Sequence, residues 1–164
     1  MKTTHLYQKE VTLQADRRQI SAELIKIISD LWYEKSIEIV LFRNQLIDKN
    51  VSEILNLHEY AGAFVGKPIS IFNSIDIARA LSEIQLPPSK LDIGKLTYEF
   101  GLEEDKYPSA RYFVMEKLKK AKSSKEINPK DVVLYGFGRI GRLLARELVS
   151  KTGKGDQLRL RAIA

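Results

Sequence analysis

The segment Asp131-Val-Val-Leu-Tyr-Gly-Phe-Gly-Arg-Ile-Gly-Arg142 constrains this chain more than any other stretch. Val132, Val133 and Leu134 form a continuous apolar run, as a parallel strand covered on both faces requires. Gly136, Gly138 and Gly141 follow with G-x-G-x-x-G spacing and open a helical pattern through Leu143, Leu144, Ala145 and Leu148. Gln157 to Ala164 then reads as a second strand. Strand, glycine turn, helix and strand in that order form a unit suited to a dinucleotide pyrophosphate. The first glycine permits the tight turn, the second lets phosphates approach the backbone, and the third lets helix pack closely on strand. Free N–H groups near Arg139 and Ile140 point at the anion, and the helix dipole adds to their effect. The candidate cofactor-binding residues are therefore Gly136, Phe137, Gly138, Arg139, Ile140 and Gly141.

This unit occupies only residues 131–164 of the 164-residue chain, which predicts the first β-α-β of an incomplete Rossmann-type α/β domain. Ending on an apolar strand, the sequence reads as truncated. The acidic residue that bonds an adenosine ribose falls about 20 residues beyond the glycines, where this sequence stops. The choice between NAD and NADP is therefore not legible. Arg159 and Arg161 alternate with Leu158 and Leu160 on one face of the second strand. They are not read as 2′-phosphate ligands, and burial there would require a partner.

Residues 1–125 read as a mostly α N-terminal module, with a polar, proline-bearing linker at 126–130. Asp16 and Gln19 have capping-box spacing before Ile20, Leu24, Ile27, Ile28 and Leu31, which predicts a helix from Arg17 to Tyr33. Residues 36–43 fit either a short strand or continued helix. Asn50 and Glu53 form a second capping box, with Val51, Ile54, Leu55, His58 and Ala61 on one face. That helix should end near Gly62 or Gly66. A third helix is expected from Asn73 or Ser74 until Pro87-Pro88 stops it, and residues 89–96 read as a turn entering a short helix. Pro108 at the first helical position opens a last helix through Val114, Leu118 and Ala121.

With 44% apolar and 29% charged residues, the composition is that of a soluble globular protein. No apolar run is long enough to span a membrane and no signal core follows the amino terminus, so a cytoplasmic setting is expected. The formal charge of +6 raises the question of nucleic acid. Lysines 117, 119, 120, 122 and 125 have no interleaved aromatics, however, and read as a solvated helix end. A helix-turn-helix around Ile77 to Leu81 would offer only Lys90 and Lys95 to DNA, so a nucleic-acid partner is not favoured. With no cysteine there is no disulfide, thiolate metal site or thiol nucleophile. Neither His5 nor His58 reads as a catalytic base. Glu103, Glu104 and Asp105 read as a solvated loop. No metal-ligand spacing and no catalytic residue stands out.

Gly-Phe-Gly-Arg-Ile-Gly-Arg at 136–142 resembles the signature of phosphorylating glyceraldehyde-3-phosphate dehydrogenase. Tyr135 stands where the usual member carries Asn, a departure typical of a longer subgroup with a helical N-terminal extension. Leu91-Asp-Ile-Gly-Lys-Leu96 is similar to that extension. The resemblance implies NAD or NADP as cofactor and a cytoplasmic glycolytic or gluconeogenic tetramer. Its substrates would be glyceraldehyde 3-phosphate and inorganic phosphate. The cysteine nucleophile and histidine base of that chemistry have no counterpart here, so these residues alone are expected to be inactive. The alternative is a stand-alone helical interaction or oligomerisation module without catalysis.

Overall fold

The computed structural model of the chain describes residues 2–121, 128–152, 155 and 157–164. Helix α1 spans Lys2–Lys35, beginning well before Arg17. Asp16 and Gln19 therefore lie inside it and cap nothing. From Leu6 to Arg18 no residue is buried, so no core-facing stripe marks this half in the sequence. Downstream, Ser21, Leu24, Ile28, Leu31 and Trp32 recur at helical spacing and are buried.

Within residues 36–43 the chain forms a strand and a turn rather than continued helix. Strand β1, Ile37–Leu41, turns through Phe42-Arg43 into β2, Asn44–Gln45. Both turn residues have positive φ, 45° and 75°, which a two-residue hairpin turn of the mirror-image type demands. The Phe42 amide donates to Asp92 Oδ1 at 3.0 Å. The Phe42 ring lies so close to Gly94 that a Cβ there would sit 2.7 Å from it.

Helix α2, Val51–Val65, carries the expected reciprocal cap. The Glu53 amide donates to Asn50 Oδ1 at 3.0 Å, and the Asn50 amide donates to Glu53 Oε2 at 2.9 Å. Gly66, at φ 71°, closes it. Helix α3, Ile71–Glu83, starts from Ser70, slightly ahead of Asn73. Residues 89–92 form strand β3 rather than a turn. β3 runs parallel to β1, from Ile37 opposite Ser89 to Val40 opposite Asp92, so the sheet order is β2-β1-β3.

Helix α4 spans Ile93–Glu103 and ends in a 3-10 turn at Glu104–Lys106. Helix α5 spans Ala110–Lys117 with Ser109 as its N-cap, so Pro108 precedes the cap instead of occupying the first helical position. It ends before Leu118, short of the expected Ala121. The expected boundary at Lys125 and the first two residues of the 126–130 linker lie outside the described residues, and Lys130, expected in that linker, opens a strand. Strand β4 spans Lys130–Leu134, helix α6 Arg139–Lys151 and strand β5 Leu158–Ile163.

One core joins α1 to α5 with the three-stranded sheet, centred on Leu24, Ile28, Leu41, Ile54, Ile77 and Phe113. Arg79 ties α3 to α1 by donating from Nε and Nη2 to the two Glu23 carboxylate oxygens, each at 2.9 Å. Lys90 and Lys95, the other cations of the helix-turn-helix reading, face Glu38 and Glu99. Ile77, Ala78, Ala80 and Leu81 are buried in the core. Among the described residues, no helix is long and apolar enough to cross a membrane.

Candidate functional site

β4 and β5 pair in parallel, with α6 between them in the chain, which is the local architecture that the glycine motif predicts. Pairing continues into the loop. The Ala164 amide donates to the Leu134 carbonyl at 2.9 Å, and the Gly136 amide donates to the Ala164 carbonyl at 2.5 Å. A β-bulge lies between Val132 and Val133.

The three glycines answer to different demands. Gly136 has φ 92°, a left-handed backbone that disfavours any other residue. At Gly141 a Cβ would collide with the Gly136 carbonyl group, so helix and loop approach as closely as a bare backbone permits. Gly138 differs from both. Its φ of −71° suits any residue, and a Cβ there would meet nothing within 4 Å. Gly138 is also the N-cap of α6 and offers no side-chain cap. At this end the Arg142 amide donates to the Gly138 carbonyl at 3.0 Å. The Arg139, Ile140 and Gly141 amides belong to the turn that helix geometry leaves without an internal acceptor. The loop is open to solvent, with Phe137 50% and Ile140 68% exposed.

Val132, Val133 and Leu134 are not covered on both faces as expected. Val133 is 59% exposed, and within the described β4-α6-β5 unit only Ala145 is buried. The reason is physical: α6 is the element packed on this strand pair, and one helix cannot cover both faces of a parallel sheet. Arg159 and Arg161 do have a partner. Their Nε atoms lie 2.9 and 3.3 Å from the two carboxylate oxygens of Asp131, across the strand pair. Sequence reasoning missed Asp131; the available signal was an acidic residue opposite alternating arginines in parallel register.

His58 is 5% exposed and its ring is fully occupied. Nδ1 lies 2.8 Å from the Ile54 carbonyl and Nε2 3.0 Å from Ser74 Oγ, which in turn lies 3.2 Å from Thr97 Oγ1. This is a structural polar chain. Burial pushes the imidazole below its ordinary value of 6.5, with the Ile54 bond opposing the shift. The fold therefore disfavours protonated His58, and the resulting stability is fully present above about pH 6.5 and lost as pH falls below it. Urea midpoints measured on either side of that value should decline on the acid side. His58→Gln should remove that component of the slope; an unchanged slope in the variant contradicts the assignment.

Glu103, expected in a solvated loop, instead ends α4 and accepts from Lys117 at 3.1 Å. No group of three His, Asp or Glu suited to a metal occurs among the described residues. Two cavities, of about 630 and 640 Å³, lie away from the glycine loop. The first is lined by Arg17, Leu55, His58, Lys67 and Phe72 on the helical module.

No family model matches the chain. A curated protein of Pseudomonas aeruginosa (strain UCBPP-PA14), described as a glyceraldehyde-3-phosphate dehydrogenase-like protein, is 36% identical over 145 residues. The chain is similar to a glyceraldehyde-3-phosphate dehydrogenase-like protein. The match covers 85% of this chain, more than residues 131–164 alone provide, so it includes much of the helical module. The chain spans about a third of that relative's length, 31%.

Proposed function

We propose that this chain supplies the pyrophosphate-binding loop of a nicotinamide-dependent oxidoreductase of the glyceraldehyde-3-phosphate dehydrogenase type, preceded by a helical extension. The observation that carries this reading is Gly138. Backbone conformation accounts for Gly136 and helix packing accounts for Gly141, but among the described residues nothing requires a bare position 138. A diphosphate held against the uncapped start of α6 does require it. Gly136 to Gly141, with Phe137 alongside, would hold the pyrophosphate of NAD or NADP, and the cofactor would supply hydride transfer. The similarity to the Pseudomonas protein supports the same reading.

On this proposal the whole enzyme oxidises glyceraldehyde 3-phosphate with inorganic phosphate, in the cytoplasm and as a tetramer. Its thiolate comes from chain outside these 164 residues, which contain no cysteine. Further strands and helices of the dinucleotide domain cover the exposed apolar side chains of β4, α6 and β5. Because a glycine loop provides only the pyrophosphate contacts, dinucleotide affinity should be weak, on the order of millimolar.

Gly138→Val tests the loop directly. The added side chain meets no protein atom within 4 Å through its Cβ, so the fold should survive while the phosphates are excluded. Binding of NADH, followed by its fluorescence, should weaken at least tenfold (about 1.4 kcal/mol). Equal affinity in the variant contradicts the proposal. A helical interaction module without catalysis is the second reading. It is favoured by the upstream half of α1, where Leu6, Tyr7 and Val11 are exposed. Self-association abolished by Val11→Lys, in a chain that binds no dinucleotide, would select it.

A further inference from the structure

Among the described residues, two buried side-chain atoms have no hydrogen-bond partner: the Trp32 indole Nε1 and the Ser89 hydroxyl oxygen. Both residues line the same cavity of about 640 Å³, a volume typical of small-molecule sites. Trp32 is 9% exposed, and an indole nitrogen can only donate. A buried donor left unsatisfied in a native fold calls for an acceptor. The Ser89 hydroxyl can also donate, so two residues that line one space each carry an unmet donor.

The charge there has the matching sign. Lys90, Lys130 and Lys151 line the cavity against one carboxylate, Glu38. That carboxylate already accepts from Lys90 at 3.0 Å and from Gln45 at 2.8 Å. Lys151 is paired with Glu147. Lys130 forms no ion pair among the described residues and has its ammonium uncommitted.

We propose that this cavity binds a small oxyanion, a carboxylate- or phosphate-bearing metabolite. The Trp32 N–H and the Ser89 O–H donate to its oxygens, and Lys130 balances its charge. Trp32 and Ser89 belong to the helical module, whereas Lys130 begins β4, so an occupant contacts both parts of the chain and fastens one to the other. No residue of the glycine loop lines this cavity, so the inference stands independently of the dinucleotide reading.

Trp32 is the only tryptophan, so its emission reports on the site. Inorganic phosphate and citrate are titrated separately at constant ionic strength, with chloride as the control. At least one should give a saturable change in emission, and which one responds separates phosphate from carboxylate recognition. Ser89→Ala and Lys130→Met should each weaken that response at least tenfold, whereas Lys9→Met, a surface change on α1, should not. Trp32→Phe keeps a ring and loses the N–H; calorimetry on it should show a comparable loss. No saturable response to either anion overturns the proposal, as does a response unaltered in both Ser89→Ala and Lys130→Met. Full affinity in Trp32→Phe overturns it too.

Discussion

Phe113→Ala should destabilise the helical module by about 3–5 kcal/mol, the range expected for emptying an aromatic core position. Phe113 is fully buried. Its ring centroid lies 5.3 Å from those of Phe100 and Tyr107, tilted to one and edge-on to the other. The Lys117 ammonium sits 5.2 Å from the same centroid. Truncation therefore removes two aromatic contacts and a cation–π contact in addition to apolar burial. The cavity would open where α5 meets α3 and α4. Urea unfolding followed by circular dichroism checks the magnitude. A loss below about 1 kcal/mol would show that this side chain is not central to the core.

Gly141→Ala should be the more local and more complete disruption. The new methyl group would meet the Gly136 carbonyl carbon at 3.1 Å and its oxygen closer still. Both are backbone atoms and cannot rotate away. Overpacking of this kind costs about 1–3 kcal/mol, and the β4-α6-β5 unit has only one buried side chain with which to absorb it. Helix α6 should therefore lose its seat on the loop. Hydrogen exchange at the Arg142 amide, which donates to the Gly138 carbonyl, should accelerate sharply while protection in α1 to α4 is unchanged. Gly138→Val should leave the same amide protected. Equal protection of Arg142 in the Gly141→Ala variant and the original chain would refute the close-packing role.

Local signals made part of this structure legible in the sequence. The second capping box, Asn50 with Glu53, needs only neighbours in sequence, and α2 starts where it says. The glycine spacing likewise marked the β4 turn and the start of α6. What escaped depends on partners distant in the chain. β3 has one apolar residue among Ser89-Lys-Leu-Asp92 and is a strand because β1 pairs with it. The β1-β2 hairpin turns on Phe42-Arg43, without the Asn-Gly or Asp-Gly that announces such turns. It is held instead by Asp92 and by the bare surface of Gly94. The Asp131 bridge to Arg159 and Arg161 needed the parallel register, including its bulge, before the three could be placed together.

Of the three glycines, Gly138 is the one that a bound diphosphate rather than the fold would keep bare, and one experiment addresses it directly. Backbone amide resonances are followed while NAD is added to the intact chain. A pyrophosphate seat at this loop should give progressive, saturable shifts concentrated from Gly136 to Arg142, with an apparent Kd on the order of millimolar, and their disappearance in Gly138→Val. Amides of this loop that stay still while NAD binds elsewhere, or shifts that persist in Gly138→Val, would contradict it.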